Sequence, residues 1–250
     1  MISKVIEIAR EAGSEIMKVY EGSDLGISYK EDESPLTLAD RNAHNTIEKG
    51  LLALDKNIPI ISEEGDETPY AVRKDFKSFW LVDPLDGTKE FIKKNGEFTV
   101  NIALIENNEP VLGVVYAPAM GLMYYASKGE GAFKMNGSDP VRLPRREAVS
   151  GSVRVVASRS HPSKETEEYL EQFTIKDTVY AGSSLKFCVV AEGEADIYPR
   201  IGRTSEWDTA AGQCVAEEAG VRVEGLDGKR LMYNKETLKQ PGFIVTVIKS

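Results

Sequence analysis

Residues 83–88, Asp-Pro-Leu-Asp-Gly-Thr, combine two carboxylates and a hydroxyl in one short segment. The apolar run at 79–82 predicts a strand that ends at this segment. Its Pro and Gly predict a tight turn, in which Asp83 and Asp86 can face one point with the Leu85 carbonyl between them. Carboxylate and carbonyl oxygens suit a hard cation such as Mg²⁺. The alternative is a purely structural turn, since Asp, Pro and Gly are the commonest turn residues.

Further carboxylates stand where predicted strands end or predicted helices begin. Glu63 and Glu64 follow the strand predicted at 58–61, and Asp40 and Asp208 open predicted helices. Ligand sites of α/β sheets collect at the carboxyl ends of the strands, so these side chains are candidates for one shared site. Several unpaired carboxylates repel one another unless cations lie between them. For Asp40 and Asp208 the alternative is a helix N-cap.

The composition is that of a soluble globular protein, with 250 residues, 41% hydrophobic and 28% charged, and a net charge of −9. That length fits one large domain or two small ones. The excess of acid argues against a nucleic-acid partner, but not against a small phosphorylated substrate, because bound cations can invert the local field. No apolar run approaches a membrane helix of about 18 residues, and the amphipathic start is not a signal peptide, so we expect a cytoplasmic protein.

The two cysteines, Cys188 and Cys214, lie in apolar helical patterns and form no Cys-x-x-Cys pair. Neither His44 nor His161 flanks them, so a zinc site is not expected. We interpret both as buried and unreactive thiols.

Hydrophobic periodicity predicts alternating helices and strands, which indicates an α+β or α/β protein. Predicted helices occupy 2–20, 38–54, 164–172, 184–191 and 209–219. Predicted strands occupy 58–61, 79–82, 99–105, 110–116, 122–126, 153–157, 196–198, 221–224 and 243–247. Turns are expected around Gly129, Gly131, Asn136 and Gly137. The polar stretch 138–151 predicts a boundary, which divides the chain into an N-terminal α+β metal-binding half, 1–145, and a C-terminal α/β substrate-binding half, 146–250.

Three segments together resemble the inositol monophosphatase superfamily in order and in spacing. They are the Glu63-Glu64 pair, the block at 83–91, and the block at 207–212, Trp-Asp-Thr-Ala-Ala-Gly. The resemblance covers nearly the whole chain. It implies a layered αβαβα sandwich of the sugar-phosphatase type, made of two sub-domains with the metal site between them. It also implies a lithium-sensitive, Mg²⁺-dependent phosphatase.

Lys89-Glu90 stands where the inositol monophosphatases carry Thr-Asn. Four further segments, at 95–101, 158–161, 182–187 and 198–200, resemble the bacterial branch of the superfamily that acts on 3'(2'),5'-bisphosphate nucleotides in sulfate assimilation. This implies hydrolysis of adenosine 3',5'-bisphosphate to AMP and phosphate by a metal-activated water.

Three other functions are weighed against this one. An inositol or sugar-phosphate phosphatase on the same fold is the first alternative. A catalytically silent phosphate-binding protein is the second, and it predicts a damaged ligand set, whereas every expected carboxylate is present here. The third, an aspartyl-phosphate hydrolase, needs carboxylates two residues apart, and Pro84 stands at the position concerned.

The resemblance implies the metal ligands residue by residue. Glu63, Asp83 and the Leu85 carbonyl would hold one Mg²⁺. Asp83, Asp86 and Asp208 would hold a second, and Glu63 would also reach a weaker third ion. Two cations a few ångströms apart can activate a water and stabilise the leaving oxygen.

The resemblance also implies catalytic residues. Thr88, backed by Asp40, would position the attacking water, and Glu63 would share in catalysis, while Glu64 would lie behind the ligands. No nucleophilic side chain is required, because phosphoryl transfer depends on charge neutralisation and an in-line nucleophile.

A substrate site is implied by the same resemblance. Backbone amides at Gly87 and Thr88 would receive phosphate oxygens, and Lys186, at a helix start that favours anions, would bind a second phosphate. The implied substrate-binding residues are Asp86, Gly87, Thr88, Lys89, Ser158, His161, Gly182, Ser183, Ser184, Lys186, Tyr198, Arg200 and Asp208. The alternatives are a solvated helix face for Lys186 and a turn residue for His161. The expected partner is a small phosphorylated nucleotide; a homodimer and weak peripheral association with a membrane stay open.

Overall fold

The computed structural model of the chain describes residues 1–29, 35–137, 139–158 and 163–248, and for Tyr29 the backbone only. The helices are α1 (Ile2–Tyr20), α2 (Leu38–Leu54), α3 (Tyr70–Arg73), α4 (Thr88–Ile92), α5 (Lys164–Leu170), α6 (Leu185–Glu192) and α7 (Ala210–Glu218), with a 3-10 turn at Pro118–Met120. The strands are β1 (Ser28–Tyr29), β2 (Pro35–Leu36), β3 (Ile60–Ser62), β4 (Ser78–Asp86), β5 (Thr99–Glu106), β6 (Glu109–Ala117), β7 (Leu122–Ser127), β8 (Gly131–Asn136), β9 (Pro140–Arg142), β10 (Val153–Ser158), β11 (Ile175–Ala181), β12 (Ile197–Arg200), β13 (Thr204–Ser205), β14 (Arg222–Gly225), β15 (Lys239–Gln240) and β16 (Phe243–Thr246).

The first half of the chain forms a mixed sheet in the order β3-β4-β5-β6-β7-β8-β9. β3 runs parallel to β4, and the other neighbouring pairs are antiparallel. Because side chains alternate along a strand, β4 and β5 present one apolar row to each face of this sheet. The apolar stripes of α1 and α2 cover one face, where Ile16, Leu51, Trp80 and Ile102 are buried together. This helix layer leaves the carboxyl end of β4 free to present polar side chains.

The second half forms another sheet, in the order β11-β10-β12-β16-β14. α6 and α7 lie between the two sheets, since one hydrophobic cluster joins Leu81 of the first sheet to Phe187, Cys214 and Val245. α5 covers the outer face of the second sheet through a smaller cluster. The layers are therefore α, β, α, β and α, and the predicted fold class is confirmed.

Gly212 allows α6 and α7 to approach closely. A Cβ atom at this position would lie 2.6 Å from the Phe187 ring, so a side chain there would force the helices apart. The final Gly of the block at 207–212 therefore serves helix packing, next to the point where that block presents its carboxylate.

Most predicted elements are present, and the differences lie at polar or edge segments. The helices predicted at 2–20 and 38–54 are found at those residues. Turns were expected around Gly131 and Asn136, but these residues are the two ends of β8, whose interior Ala132 and Met135 are buried. β11 was not predicted, because it pairs with β10 alone among the described strands and most of its side chains are exposed. An edge strand of this kind carries little apolar periodicity.

The stretch predicted as a boundary separates the two sheets, since β9 ends at Arg142 and β10 begins at Val153. The hydrophobic cluster between the sheets nevertheless takes residues from both halves. The division into 1–145 and 146–250 therefore stays a prediction about domain organisation.

Cys188 and Cys214 are both buried and unpaired. Burial raises the pKa of each thiol, in agreement with their interpretation as unreactive core residues. Within the described part of the chain, no helix has the length and apolar character needed to cross a membrane.

Candidate active site

The turn at the end of β4 is shaped by its pairing with β5. Asp83 lies opposite Asn101 and Asp86 lies opposite Thr99, with a shift of register between the two pairs. Inside this bulge, Asp83 accepts a hydrogen bond of 3.0 Å from the Leu85 amide. The irregular segment turns both carboxylates away from the sheet.

Gly87 ends the turn in the left-handed region, with φ of +93°. A Cβ atom at this position would overlap the hydroxyl of Ser183, so the segment 182–184 can approach the turn only because residue 87 is Gly. α4 begins at the next residue, Thr88. The close approach brings the second half of the chain against the end of β4.

Three carboxylates from different elements converge beside this turn. Glu63 follows β3, Asp83 belongs to β4 and Asp208 precedes α7, and one oxygen of each lies within 4.8 Å of the others. The Glu63 amide donates to the Val82 carbonyl at 3.1 Å, which fixes the end of β3 beside β4. The sequence prediction had placed Asp208 with Asp83 and Asp86, and the structure brings Asp208 close to Glu63 as well.

Asp208 does not cap α7 with its side chain. Its carboxylate accepts hydrogen bonds from the Thr204 hydroxyl and, at 2.9 Å, from the Ser205 amide, whereas the N-cap residue of α7 is Thr209. The alternative interpretation of Asp208 as a helix cap is therefore wrong, and its own loop holds the carboxylate in place.

These carboxylates resist ionisation in the protein alone. Burial, followed by repulsion from Glu63, Asp86 and Asp208, raises the pKa of Asp83 well above its ordinary value. Burial and the charge of Asp208 raise the pKa of Asp86 to about 6, although Lys186 opposes the shift. Burial also raises the pKa of Asp208. A divalent cation would relieve this repulsion, and a donor set made only of oxygens fits Mg²⁺.

Asp40 is not the N-cap residue of α2, which is Thr37, but its side chain takes part in the capping of that helix. Its Oδ2 accepts hydrogen bonds from the amide and the hydroxyl of Thr37, at 2.7 and 2.5 Å, and the bond from the amide belongs to the capping box of α2. Its Oδ1 lies 3.4 Å from Thr88 Oγ1. Asp40 is buried, and burial raises its pKa. One carboxylate therefore takes part in the capping box of α2 and faces the catalytic candidate Thr88.

A cavity of about 370 Å³ opens over the carboxylates. Lys186 and Arg200 line it together with Glu63, Asp83, Asp86 and Asp208. Lys186 is only 5% exposed, and its Nζ lies 5.6 Å from the centre of the Tyr198 ring. The alternative of a solvated helix face for Lys186 is therefore wrong. Acids and cations share one cavity, as an anionic ligand with bound metal would require.

The remaining predicted substrate residues divide into three groups. Those that line the cavity are Gly87, Thr88, Lys89, Ser158, Gly182, Ser183 and Tyr198. Ser184 differs from the prediction, because its side chain is 1% exposed and lies behind the wall, hydrogen-bonded to Asp86. His161 lies outside the described residues.

Sequence reasoning missed some residues of the cavity wall. Glu90 is 6% exposed and lines it, and so do the buried rings of Phe187 and Phe243. The position of Glu90 directly after Lys89 was a usable signal, since the start of α4 must face the same cavity as Thr88. Nothing in the local sequence distinguishes Phe243 from an ordinary core residue.

Fold and carboxylate cluster together define a class of metal-dependent phosphatases. The chain belongs to the inositol monophosphatase family, whose model matches residues 1–246. Proteins of this family are metal-dependent enzymes that hydrolyse phosphate monoesters. The family resemblance drawn from the three sequence segments is thereby confirmed.

Two relatives are similar over nearly their full length, and a third protein shares the fold. The 3'(2'),5'-bisphosphate nucleotidase CysQ of Salmonella typhimurium is 51% identical over 249 residues, which cover 99% of this chain and 100% of that protein. The crystal structure of CysQ from Bacteroides thetaiotaomicron, a bacterial member of the inositol monophosphatase family, superposes with a TM-score of 0.87 at 42% identity, covering 100% of this chain and 97% of the other. An IMPase/NADP phosphatase complexed with Mg²⁺ and phosphate shares the fold, with a TM-score of 0.78 at 20% identity over 94% of this chain and 86% of that one.

Proposed function

We propose that this chain is a Mg²⁺-dependent 3'(2'),5'-bisphosphate nucleotidase that hydrolyses adenosine 3',5'-bisphosphate to AMP and phosphate. The observation that carries the proposal is the presence of Lys186 and Arg200 in the same cavity as the carboxylate cluster. A substrate with one phosphate to cleave and another to anchor matches that arrangement. Similarity over the full length to a protein named as a nucleotidase of this kind supports it.

The residues present fit a pair of Mg²⁺ ions. Glu63, Asp83 and the Leu85 carbonyl would hold one, and Asp83, Asp86 and Asp208 the other, with Glu63 also reaching a weaker third. When bound, the ions would neutralise the phosphoryl oxygens and lower the pKa of the attacking water. The raised pKa values of Asp83, Asp86 and Asp208 support this assignment, because buried carboxylates that also repel one another need a counter-charge to ionise.

Thr88 and Asp40 would orient the attacking water. If the Thr88 hydroxyl donates its hydrogen to Asp40 Oδ1, its oxygen is left to accept a hydrogen bond from the water. The hydrogen bonds that Asp40 Oδ2 accepts from Thr37 hold the carboxylate in place. The water oxygen would then bond to phosphorus in line with the ester oxygen while the ester bond breaks. The water gives up one proton and the ester oxygen takes one up, so the hydrolysis balances.

The second phosphate would lie against Lys186 and Arg200. Lys186 lies at the start of α6 and is buried against Tyr198, so its ammonium group has few positions open to it. Amides at Gly87 and Thr88 would receive oxygens of the phosphate that is cleaved. We assign Ser158 and Tyr198 to the nucleoside side, since both line the cavity; the assignment of His161 to the same side stays a prediction.

Phosphate release in the presence of Mg²⁺ tests this function. The panel is adenosine 3',5'-bisphosphate, inositol 1-phosphate, fructose 1,6-bisphosphate and AMP, each with and without lithium. We expect a strong, lithium-sensitive preference for the first compound, with AMP as the product. Preference for an inositol or sugar phosphate would retain the metal site and refute the second-phosphate site. No release from any compound would favour a silent binding protein.

A further inference from the structure

A series of hydrogen bonds behind the cavity wall joins the side chains of Asn101, Ser184 and Asp86. Asn101 of β5 donates from Nδ2 to the hydroxyl oxygen of Ser184 at 2.8 Å. The same hydroxyl oxygen lies 2.9 Å from Asp86 Oδ2 and 2.9 Å from the Asp208 carbonyl oxygen. Asn101 and Ser184 are each 1% exposed, so neither contacts solvent or a ligand in the cavity.

Proton counting sets the direction of these bonds. A carboxylate and a carbonyl can only accept, and both face the one hydrogen of the Ser184 hydroxyl. The third neighbour of that oxygen must therefore be a donor, which requires the amide nitrogen of Asn101. A hydrogen bond to an ionised carboxylate is stronger than one to a carbonyl, so the Ser184 hydrogen is directed to Asp86.

The Asn101 side chain lowers the free energy of unfolding through its other polar atom. Its Oδ1 is buried and has no hydrogen-bond partner in the structure. A buried acceptor without a partner destabilises a fold, and an apolar side chain of similar shape would avoid that penalty. The residue is therefore poorly explained by folding stability and well explained by its bond to Ser184.

The contact joins the two halves of the chain at the metal-binding turn. Ser183 Oγ lies 2.9 Å from both the Asp86 carbonyl oxygen and the Glu97 carbonyl oxygen, so adjacent serines hold the backbone and the side chain of Asp86. Because Ser184 also contacts the Asp208 carbonyl, it fixes the separation between the segments that carry Asp86 and Asp208. Asp86 Oδ1 is left for the cavity.

We propose that Ser184 and Asn101 are positioning residues that set the affinity for divalent metal by orienting Asp86, and that they do not contact the substrate. The proposal rests on the proposed function for the identity of the metal site. Ser184 thus acts through Asp86 and not by a ligand contact, and Asn101, which was not among the predicted site residues, joins it.

The test is direct binding of Mn²⁺, used as the probe without substrate, measured by calorimetry. We expect Ser184→Ala to weaken Mn²⁺ binding by about tenfold to a hundredfold, as partners of metal ligands generally do. Ser184→Thr, which keeps the hydroxyl, is the matched control and should bind within about threefold of the wild type. At saturating metal, the KM of Ser184→Ala for adenosine 3',5'-bisphosphate should stay within about threefold. An unchanged Mn²⁺ affinity with a raised KM would overturn the proposal in favour of a substrate contact.

Asn101→Leu separates a loss of metal binding from a folding defect. It removes the amide group and leaves no polar atom in the side chain of residue 101. Its Tm should equal or exceed that of the wild type, while Mn²⁺ binding weakens as in Ser184→Ala. We expect the Mn²⁺ affinity of the double variant to equal that of whichever single variant binds Mn²⁺ less tightly. The reason is that Ser184→Ala and Asn101→Leu interrupt the same series of hydrogen bonds. If the losses of Mn²⁺ affinity in the two single variants added up in the double variant, Asn101 would not act through Ser184, and the proposal would be refuted. A wild-type chain that binds Mn²⁺ but does not hydrolyse the bisphosphate would refute the proposed function and leave this inference standing.

Discussion

Two groups of buried acidic side chains are held in opposite ways. Asp196, directly before β12, is 4% exposed and is paired with two arginines. It accepts bonds of 3.0 and 2.7 Å from Arg154 and of 3.0 Å from Arg146. Asp83 is 1% exposed, yet among the described residues no Lys or Arg forms an ion pair with it or with its neighbours Asp86 and Asp208.

The pKa of Asp196 is lowered, whereas that of Asp83 is raised. Burial acts to raise the pKa of Asp196, but the hydrogen bonds and charges of Arg154 and Arg146 outweigh it and hold that pKa below its ordinary value. At Asp83, burial and neighbouring carboxylates act in the same direction and raise the pKa. A carboxylate that supports the fold is thus supplied with its own cation, whereas the cluster beside β4 is left in need of one.

Asp86→Asn is the change with the largest expected effect. Turnover of the bisphosphate should fall by about a thousandfold or more, because a charged metal ligand is lost. The metal-free protein should become more stable by about 1 to 3 kcal/mol at pH 7, since one member of a repelling cluster is neutralised. Steady-state kinetics and urea unfolding in chelator measure the two effects.

The stability gain of Asp86→Asn should depend on pH. The pKa of Asp86 is raised to about 6, so its ionisation disfavours the folded state above that pH. The penalty shrinks as the pH falls from about 6 towards the ordinary Asp value of about 4, and it is lost below that value, where the side chain is protonated in both states. The gain should therefore shrink between pH 6 and 4. If metal-free Asp86→Asn were less stable than the metal-free wild type at pH 7, the contrast drawn between Asp86 and Asp196 would be wrong.

Thr88→Ala should come next in size. We expect kcat to fall by about a hundredfold with KM nearly unchanged, because Thr88 is assigned to the attacking water and not to ground-state binding. Thr88→Ser is the matched control and should keep most of the activity. A raised KM with unchanged kcat would show that Thr88 only binds substrate.

Lys186→Met should have a smaller and selective effect. The variant keeps an unbranched side chain against Tyr198 and removes the charge. We expect kcat/KM to fall about tenfold to thirtyfold for adenosine 3',5'-bisphosphate and about threefold at most for 3'-AMP, which lacks the second phosphate. Equal losses on both substrates would remove Lys186 from the second-phosphate site and leave it as a partner of the carboxylate cluster.

The sequence predicted those parts of the fold in which the local pattern and the burial agree. α1 and α2 carry apolar residues at helical spacing, and both are found at their predicted residues. β11 carries no such pattern, because an edge strand with exposed faces is held by its pairing with β10. Its position depends on a partner in the sheet, which no window of the sequence contains.

The candidate site shows the same limit. Glu63, Asp83, Asp86 and Asp208 could be predicted, because each stands in a segment whose order and spacing resemble a family. The bond between Asn101 and Ser184 joins residues 83 positions apart in the sequence, and it depends on which face of β5 meets α6. For that reason the sequence suggested a ligand contact for Ser184, and the structure places it behind the wall.

Asp196→Asn is the smallest expected change for function and the sharpest test of the comparison. Its carboxylate binds Arg154 and Arg146, and none of these three residues lines the cavity, so kcat should stay within about twofold. The free energy of unfolding at pH 7 should fall by about 2 kcal/mol, since two arginines lose a buried partner. Asp139→Asn, at an exposed position outside this sheet, is the matched control and should change stability by about 0.5 kcal/mol or less.

The pH dependence of Asp196→Asn should be the reverse of that of Asp86→Asn. Because the folded pKa of Asp196 is lowered, its ionised form stabilises the protein fully above the ordinary Asp value of about 4, and this stabilisation is lost as the pH falls through the lower folded value. The stability difference from the wild type should therefore hold between pH 7 and 5 and close below pH 4. If instead both variants lost stability at pH 7, the ionised form of Asp86 would already be stabilised within the protein as that of Asp196 is, and the carboxylates beside β4 would no longer point to a bound metal.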